Sequence, residues 1–72
     1  MNYGKMFKEI REEMNLSRQD LAVKLGITKS ALWKIENGVS IPKPTTIAAL
    51  ALVSRVPVAR IQIGALQPED YK

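Results

Sequence analysis

Residues 16–38, LSRQDLAVKLGITKSALWKIENG, decide the fold. Two short helices are predicted within them, Arg18–Leu25 and Lys29–Asn37. Each helix follows a hydroxyl residue, Ser17 or Thr28, whose side chain can accept a hydrogen bond from an amide of the first turn. A glycine after the first helix and an Asn-Gly pair at the end of the second suit the backbone turns that close helices. The pattern predicts a helix, a tight turn and a second helix.

The two predicted helices share an apolar surface on which they pack against each other. Gly26 permits the tight turn between them because it has no Cβ. Ala22 is small at a position where helices joined by a short turn bring their backbones close together. The inner surface is predicted to consist of Leu21, Ala22, Leu25, Ile27, Leu32 and Ile35.

Three further helices are predicted around this pair. Between residues 6 and 14, apolar residues recur at helical spacing with charged residues between them, which indicates one buried face. Prolines at 44 and 57 suit the first turn of a helix. These helices are predicted from Asn2 to Met14, from Pro44 to about Arg55 and from Pro57 to near Gly64. The sequence thus predicts a compact all-α domain of five helices over residues 1–66, with a short flexible tail at 67–72.

Composition limits the function classes. The 72 residues include no cysteine and no histidine, which removes disulfides, thiolate metal sites and the usual nucleophile and general-base pairs. We therefore expect no enzyme activity, no metal, no cofactor and no small-molecule substrate. The net charge is +4 and the pI is about 9.7, which is typical of domains that bind nucleic acid.

The distribution of charge and apolar residues also bears on location. Charged residues interrupt the N-terminal segment from Lys5 onward, which excludes the apolar core of a signal peptide. The longest apolar run, Ile47–Val53, is much shorter than a helix that spans a bilayer. A cytoplasmic protein without a membrane partner is expected.

The stretch from Leu16 to Gly38 closely resembles the Cro/repressor-type (XRE-like) helix-turn-helix family of bacterial and phage regulators. The Leu-Ala pair, the glycine, the capping threonine and the terminal Glu-Asn-Gly all coincide with the family pattern. A looser similarity extends from Lys5 to Ile61. The resemblance implies a lambda-repressor-like fold in which helices 2 and 3 form the helix-turn-helix. It also implies binding of double-stranded DNA by a transcription regulator.

In such a protein, helix 3 enters the major groove, where each base pair shows its own pattern of donors and acceptors. On a helical wheel, the side of helix 3 that faces away from its apolar stripe carries the candidate base contacts: Lys29, Ser30, Trp33 and Lys34. Lysine can bind O6 and N7 of guanine, and tryptophan can touch a thymine methyl. Simple solvation is the alternative for each lysine, and packing against a neighbouring loop is the alternative for Trp33.

The resemblance assigns contacts with the DNA backbone to Arg18, Asn37, Ser40 and Lys43. Arg18 departs from the family pattern, which usually has glutamine at this position. We expect the arginine to bind phosphate more strongly or to reach a base. The resemblance also implies a structural salt bridge between Arg11 of helix 1 and Glu36, whose loss is expected to reduce stability more than affinity.

Family members usually form dimers that bind two half-sites about one turn of DNA, roughly 34 Å, apart. A homodimer is therefore expected, with candidate interface residues Val58, Ile61, Ile63 and Leu66. Core filling is the alternative for each of them. Ser54 and Arg55 replace residues that are typically Leu and Gly in the family, which leaves the packing of helices 4 and 5 open.

Two function classes remain open at this point. The leading hypothesis is a sequence-specific regulator of the repressor, Cro or controller kind; an activator would in addition contact RNA polymerase through an exposed acidic residue. The alternative is a protein-interaction module, similar to antitoxins of this fold, that neutralises a partner protein and regulates its own operon. Such antitoxins commonly carry an added toxin-binding segment, and few residues follow Gly64, which favours the regulator.

Overall fold

The computed structural model describes residues 2–66, and all regular structure in this range is helical. The helices are α1 (Tyr3–Glu13), α2 (Arg18–Leu25), α3 (Lys29–Glu36), α4 (Pro44–Ser54) and α5 (Val58–Leu66). The predicted all-α architecture is confirmed, and α2 has the predicted bounds. The other helices differ from prediction by one or two residues at an end, mostly because the predicted ranges include capping residues. The predicted tail at 67–72 lies outside the described residues.

The first three helices begin at side-chain caps. The cap oxygen of Asn2, Ser17 or Thr28 accepts a hydrogen bond from the backbone amide three residues later, over 3.0–3.1 Å. Each bond satisfies an amide that has no partner inside the helix, which stabilises the start of the helix by about 1 kcal/mol. By contrast, α4 begins with Pro44, which has no amide hydrogen, and its cap position Lys43 makes no side-chain hydrogen bond.

The same three helices end in one motif. A left-handed residue follows each helix: Asn15 with φ 57°, Gly26 with φ 74° and Gly38 with φ 74°. The next amide then reaches back to a carbonyl of the last turn, as in Leu16 N to Arg11 O (3.1 Å), Ile27 N to Ala22 O (3.0 Å) and Val39 N to Lys34 O (2.8 Å). These bonds fix the direction in which the chain leaves each helix. The bond from Ile27 N fixes the turn that joins α2 to α3.

One apolar core joins the helices. Its fully buried side chains are Phe7, Leu21, Leu32, Leu50 and Ile61. The helix α1 packs against α3 and α5, while α2 packs against α3 and α4. The backbones of α1 and α3 come close at Gly4, where a Cβ would lie 2.5 Å from the carbonyl oxygen of Ile35. The core therefore holds α3 by one side only and leaves its other side to solvent.

The burial of Ile61 corrects one prediction. Its exposed fraction is 0%, so the side chain has no surface to offer a second copy of the chain. The prediction that Ile61 lies in a dimer interface is wrong, and core filling is its role. The other predicted interface residues, Val58, Ile63 and Leu66, are all exposed on α5.

The helices α4 and α5 carry four of the eight large apolar side chains that are exposed within residues 2–66. Leu52 is 82% exposed, Ile63 60% and Leu66 62%. No single helix within residues 2–66 is long and apolar enough to cross a membrane. Taken together, α4 and α5 reach that length and composition, but they are bent by 116° at the break between them.

Candidate nucleic-acid interface

The outward side of α3 forms a continuous accessible strip. Lys29, Ser30, Trp33 and Lys34 are all exposed, whereas Leu32 and Ile35 on the opposite side are buried. Trp33 keeps 47% of its surface accessible, which is high for a large aromatic side chain in a helix that already has its own core stripe. From Lys29 to Lys34 the strip extends about 7.5 Å along the helix axis, since the rise is about 1.5 Å per residue.

The charge on this strip has one sign. Lys29 and Lys34 project from the exposed side, and the only acidic residue of α3 is Glu36. The Glu36 side chain is just 1% exposed because it turns inward onto two arginines. The exposed side of α3 therefore presents two lysines and no carboxylate to its surroundings. Such a surface attracts a polyanion.

The segment after α3 continues the strip. Asn37 is exposed, and its side-chain Nδ2 donates a 2.9 Å hydrogen bond to the carbonyl oxygen of Trp33. Ser40 is also exposed, and its backbone amide donates to the carbonyl of Lys34 over 3.2 Å. Lys43, at the cap position of α4, completes the exposed polar set. The loop also exposes Ile41 at 84%, which was not anticipated from the sequence.

A buried carboxylate connects the helices behind the strip. Arg11 Nε donates to Glu36 Oε2 over 2.8 Å, and Arg18 Nε donates to Glu36 Oε1 over 2.9 Å. Arg11 also donates through Nη1 to the carbonyl oxygen of Leu16, 3.1 Å away. The structure thus contains the Arg11–Glu36 pair that the family resemblance implied. The second partner, Arg18, was missed, although arginine in place of the usual glutamine was the signal that could have found it.

This geometry can be compared with known proteins. The model of a family described as helix-turn-helix matches residues 7–61, which include all of α2, α3 and α4 and parts of α1 and α5. The chain belongs to this helix-turn-helix family. Its α2 and α3 are the helices that give the family its name, and Gly26 lies in the turn between them.

Two curated relatives from Bacillus subtilis (strain 168) are similar to this helix-turn-helix protein. It is 39% identical over 64 residues to an uncharacterized HTH-type transcriptional regulator, RghRB, over 88% of this chain and 46% of that protein. It is 35% identical over 57 residues to the HTH-type transcriptional repressor RghR, over 78% of this chain and 42% of that protein. The chain spans less than half the length of these relatives. No solved structure shows a significant match.

The helix-turn-helix arrangement groups most of the predicted contact residues. The base-contact candidates share one side of α3, and the backbone-contact candidates flank its C-terminal end. Arg18 reaches that end through its ion pair with Glu36, which directly precedes Asn37. The exposed interface candidates are separate from this group, because they lie on α5, which packs against α1 and α4.

Proposed function

We propose that the chain is the DNA-binding part of a transcription regulator, with α3 placed in the major groove of a duplex. The carrying observation is the exposed side of α3, which presents Lys29, Lys34 and Trp33 while its carboxylate is buried. A B-form major groove admits one helix and shows a distinct edge pattern for each base pair. The names of both curated relatives describe transcriptional regulators, one of them a repressor, and this supports a repressor-like role.

Lys29, Ser30, Trp33 and Lys34 are the residues proposed to read bases. Ser30 lies in the first turn of α3 beside Lys29, the part of a reading helix that reaches deepest into the groove. Each lysine can donate to guanine O6 and N7, and Trp33 can cover a thymine methyl. Their exposure in the free protein means that the strip is available for contact without unfolding.

Arg18, Asn37, Ser40 and Lys43 are proposed to bind the two backbones that border the groove. All four are accessible at least in part, and two of them carry positive charge. Contacts with phosphate orient the protein on the duplex and give affinity that falls as salt rises. Arg11 has a different role, because it is nearly buried and already bonded to Glu36 and Leu16.

A homodimer on two half-sites is part of the proposal, since one short reading helix covers only a few base pairs. Val58, Ile63 and Leu66 on α5 are the apolar residues available for pairing. We expect sedimentation at micromolar concentration to show a dimer, and Ile63→Asp to convert it to a monomer. The variant Leu52→Asp, on α4, is the control. A monomeric parent protein would contradict this part of the proposal.

In vitro selection from a random duplex library tests the proposed function. We expect enrichment of a two-fold symmetric site whose halves are separated by about one helical turn. On that site, Lys34→Ala should weaken binding by about 1 to 3 kcal/mol if Lys34 reads a base. Lys24→Ala, in the last turn of α2, is the matched control. An equal loss on random DNA would make Lys34 a phosphate contact, and failure to enrich any sequence would contradict sequence-specific binding.

A further inference from the structure

We propose that Glu36 is a positioning residue that holds Arg18 ready for a phosphate of the DNA backbone. This inference rests on the proposed function. In it, the buried carboxylate fixes the Arg18 guanidinium through Nε, and the outer edge of the same guanidinium binds the phosphate. Glu36 would then support DNA binding through Arg18, and its role would exceed that of a structural ion-pair partner.

The first support is the charge balance around Glu36. A single carboxylate, 1% exposed, meets two guanidinium groups, so one positive charge in the cluster is not neutralised by it. A phosphate diester would bring the cluster to two cations and two anions. Arg18, the more exposed of the two arginines, therefore keeps a positive charge that can attract an anion.

The second support is the unequal use of the two arginines. Arg11 contacts both carboxylate oxygens, at 2.8 Å through Nε and 3.3 Å through Nη2, and gives Nη1 to the carbonyl of Leu16. Its side chain is 12% exposed. Among the described residues, Arg18 engages Glu36 through Nε alone, at 2.9 Å, and its side chain is 33% exposed. Arg11 is the structural partner, and Arg18 is the one with donors left for a ligand.

The third support is the rigidity of the guanidinium group. Because the group is planar, a hydrogen bond at Nε fixes the direction of the two Nη atoms as well. That Nη pair can donate two parallel hydrogen bonds to a phosphate. An exposed arginine normally loses much side-chain freedom when it binds, whereas Arg18 is already restrained by Glu36. Lysine at this position would keep the charge but lose the Nε donor.

The position of Glu36 gives this arrangement a consequence for sequence reading. It is the last residue of α3, and Arg18 is the first residue of α2. A phosphate bound to Arg18 would therefore be connected, through one carboxylate, to the helix that is proposed to read bases. The connection would set the register of α3 along the groove.

Binding of the selected duplex over a series of salt concentrations tests this proposal. The variants are Arg18→Gln, Arg18→Lys, Glu36→Gln and the double variant Arg18→Gln with Glu36→Gln, and Lys24→Gln is the charge-matched control on α2. Arg18→Gln should lower the slope of log K against log salt by about 0.9, the value for one phosphate contact. Arg18→Lys should keep most of the slope and still bind about tenfold more weakly, the effect of one charge-assisted hydrogen bond. Lys24→Gln should change neither quantity.

The role of Glu36 is measured by the double-mutant cycle. Glu36→Gln should weaken binding about tenfold when Arg18 is present and have little further effect in the Arg18→Gln background. A purely structural carboxylate would cost the same factor in both backgrounds, and that result would overturn the proposal. If Glu36→Gln fails to fold, the Arg18→Lys comparison decides: wild-type affinity with lysine would overturn positioning by Glu36. If Arg18→Gln keeps the wild-type salt slope, Arg18 does not contact a phosphate, and the proposed function still stands. If the wild-type protein binds no duplex, the positioning role of Glu36 and the proposed function are both overturned.

Discussion

The α2–α3 pair and the α4–α5 pair are built in contrasting ways. Hydroxyl caps start both α2 and α3, left-handed glycines end them, and a buried carboxylate ties them to α1. The helix α4 has no charged residue from Pro44 to Ser54, begins without a side-chain cap and is followed by an arginine in the left-handed conformation. The first pair buries most of its apolar residues and exposes mainly polar ones, with Val23 and Trp33 as its exposed large apolar side chains. The second pair exposes several large apolar side chains.

This difference fits the two kinds of partner proposed above, a duplex and a second copy of the chain. A polar, positively charged strip suits a ligand that brings its own charge and water, as nucleic acid does. Exposed apolar side chains suit a partner that excludes water, such as a second protein surface. The caps and left-handed glycines fix the backbone geometry of α2 and α3. Such a geometry suits contacts in a DNA groove, because these require fixed side-chain directions, whereas apolar contacts tolerate adjustment.

The largest expected effect on the free energy of unfolding comes from truncating a buried leucine, compared with an exposed one. Leu32 of α3 is 0% exposed, so Leu32→Ala removes buried methyl groups and leaves a cavity, which should lower the free energy of unfolding by about 3 to 4 kcal/mol. Leu52 of α4 is 82% exposed, and Leu52→Ala should change stability by less than about 0.5 kcal/mol. Urea denaturation measures both. A large loss in Leu52→Ala would show that the α4 surface is covered in solution.

The buried ion pair gives the next effect. Arg11→Ala leaves the carbonyl of Leu16 and one oxygen of Glu36 without the donors they have in the structure. We expect a loss of about 2 to 3 kcal/mol in the free energy of unfolding, since a largely buried carboxylate loses a charged partner. Lys8→Ala, exposed on the same helix, is the control. Normal thermal melting of Arg11→Ala together with lost DNA binding would contradict its structural role.

Two glycines within helices have different neighbours: Gly4 faces rigid backbone, and Gly64 faces a flexible side chain. A Cβ at Gly4 would lie 2.5 Å from Ile35 O and 2.7 Å from Glu36 O, and these backbone atoms cannot move away. A Cβ at Gly64 would meet only the side chain of Met6, which can change rotamer. Gly4→Ala should therefore lose about 1 to 2 kcal/mol of stability despite the higher helix propensity of alanine, and Gly64→Ala should stay within about 0.5 kcal/mol. Equal effects in the two variants, measured by thermal unfolding, would show that α1 and α3 can separate at Gly4.

The sequence allowed the α2–α3 unit to be predicted well because its signals are local. Ser17 and Thr28 cap the helices that follow them, and Gly26 takes the left-handed conformation that its place after a helix indicated. The burial of Ile61 could not be read in the same way. The helix α5 also carries Val58, Ile63 and Leu66, and which of its apolar residues faces the core depends on how α5 packs against α1 and α4.

The candidate site was predictable as a set of exposed residues and less so as a network. Spacing alone separates Lys29, Ser30, Trp33 and Lys34 from the buried stripe of α3. The second ion pair joins residues 18 positions apart and depends on the crossing of α2 and α3. The exposure of Ile41 likewise follows from the path of the loop after Gly38, which no periodic pattern describes.

The smallest expected effect on the free energy of unfolding concerns the residues that follow α2 and α4. Gly26 with φ 74° and Arg55 with φ 62° both follow a helix in the left-handed conformation, which is strained for a residue with a Cβ. At the end of α4 the Ser54 hydroxyl makes two further hydrogen bonds. Its Oγ donates to Leu50 O over 2.6 Å and accepts from Val56 N over 3.2 Å. These hydrogen bonds offset part of the strain at Arg55.

Placing a glycine at position 55 and a residue with a Cβ at position 26 should therefore shift the free energy of unfolding in opposite directions. Arg55→Gly should raise the free energy of unfolding by about 0.5 to 1 kcal/mol, and Gly26→Ala should lower it by about 1 kcal/mol. Added atoms at Gly26 would meet open space, so any loss there comes from the backbone conformation alone. Differential scanning calorimetry resolves both changes. If Arg55→Gly instead destabilises the protein, the arginine stem must stabilise the shallow groove that it lines with Leu52 and Pro57, and the end of α4 would then be held by its side chains rather than strained by them.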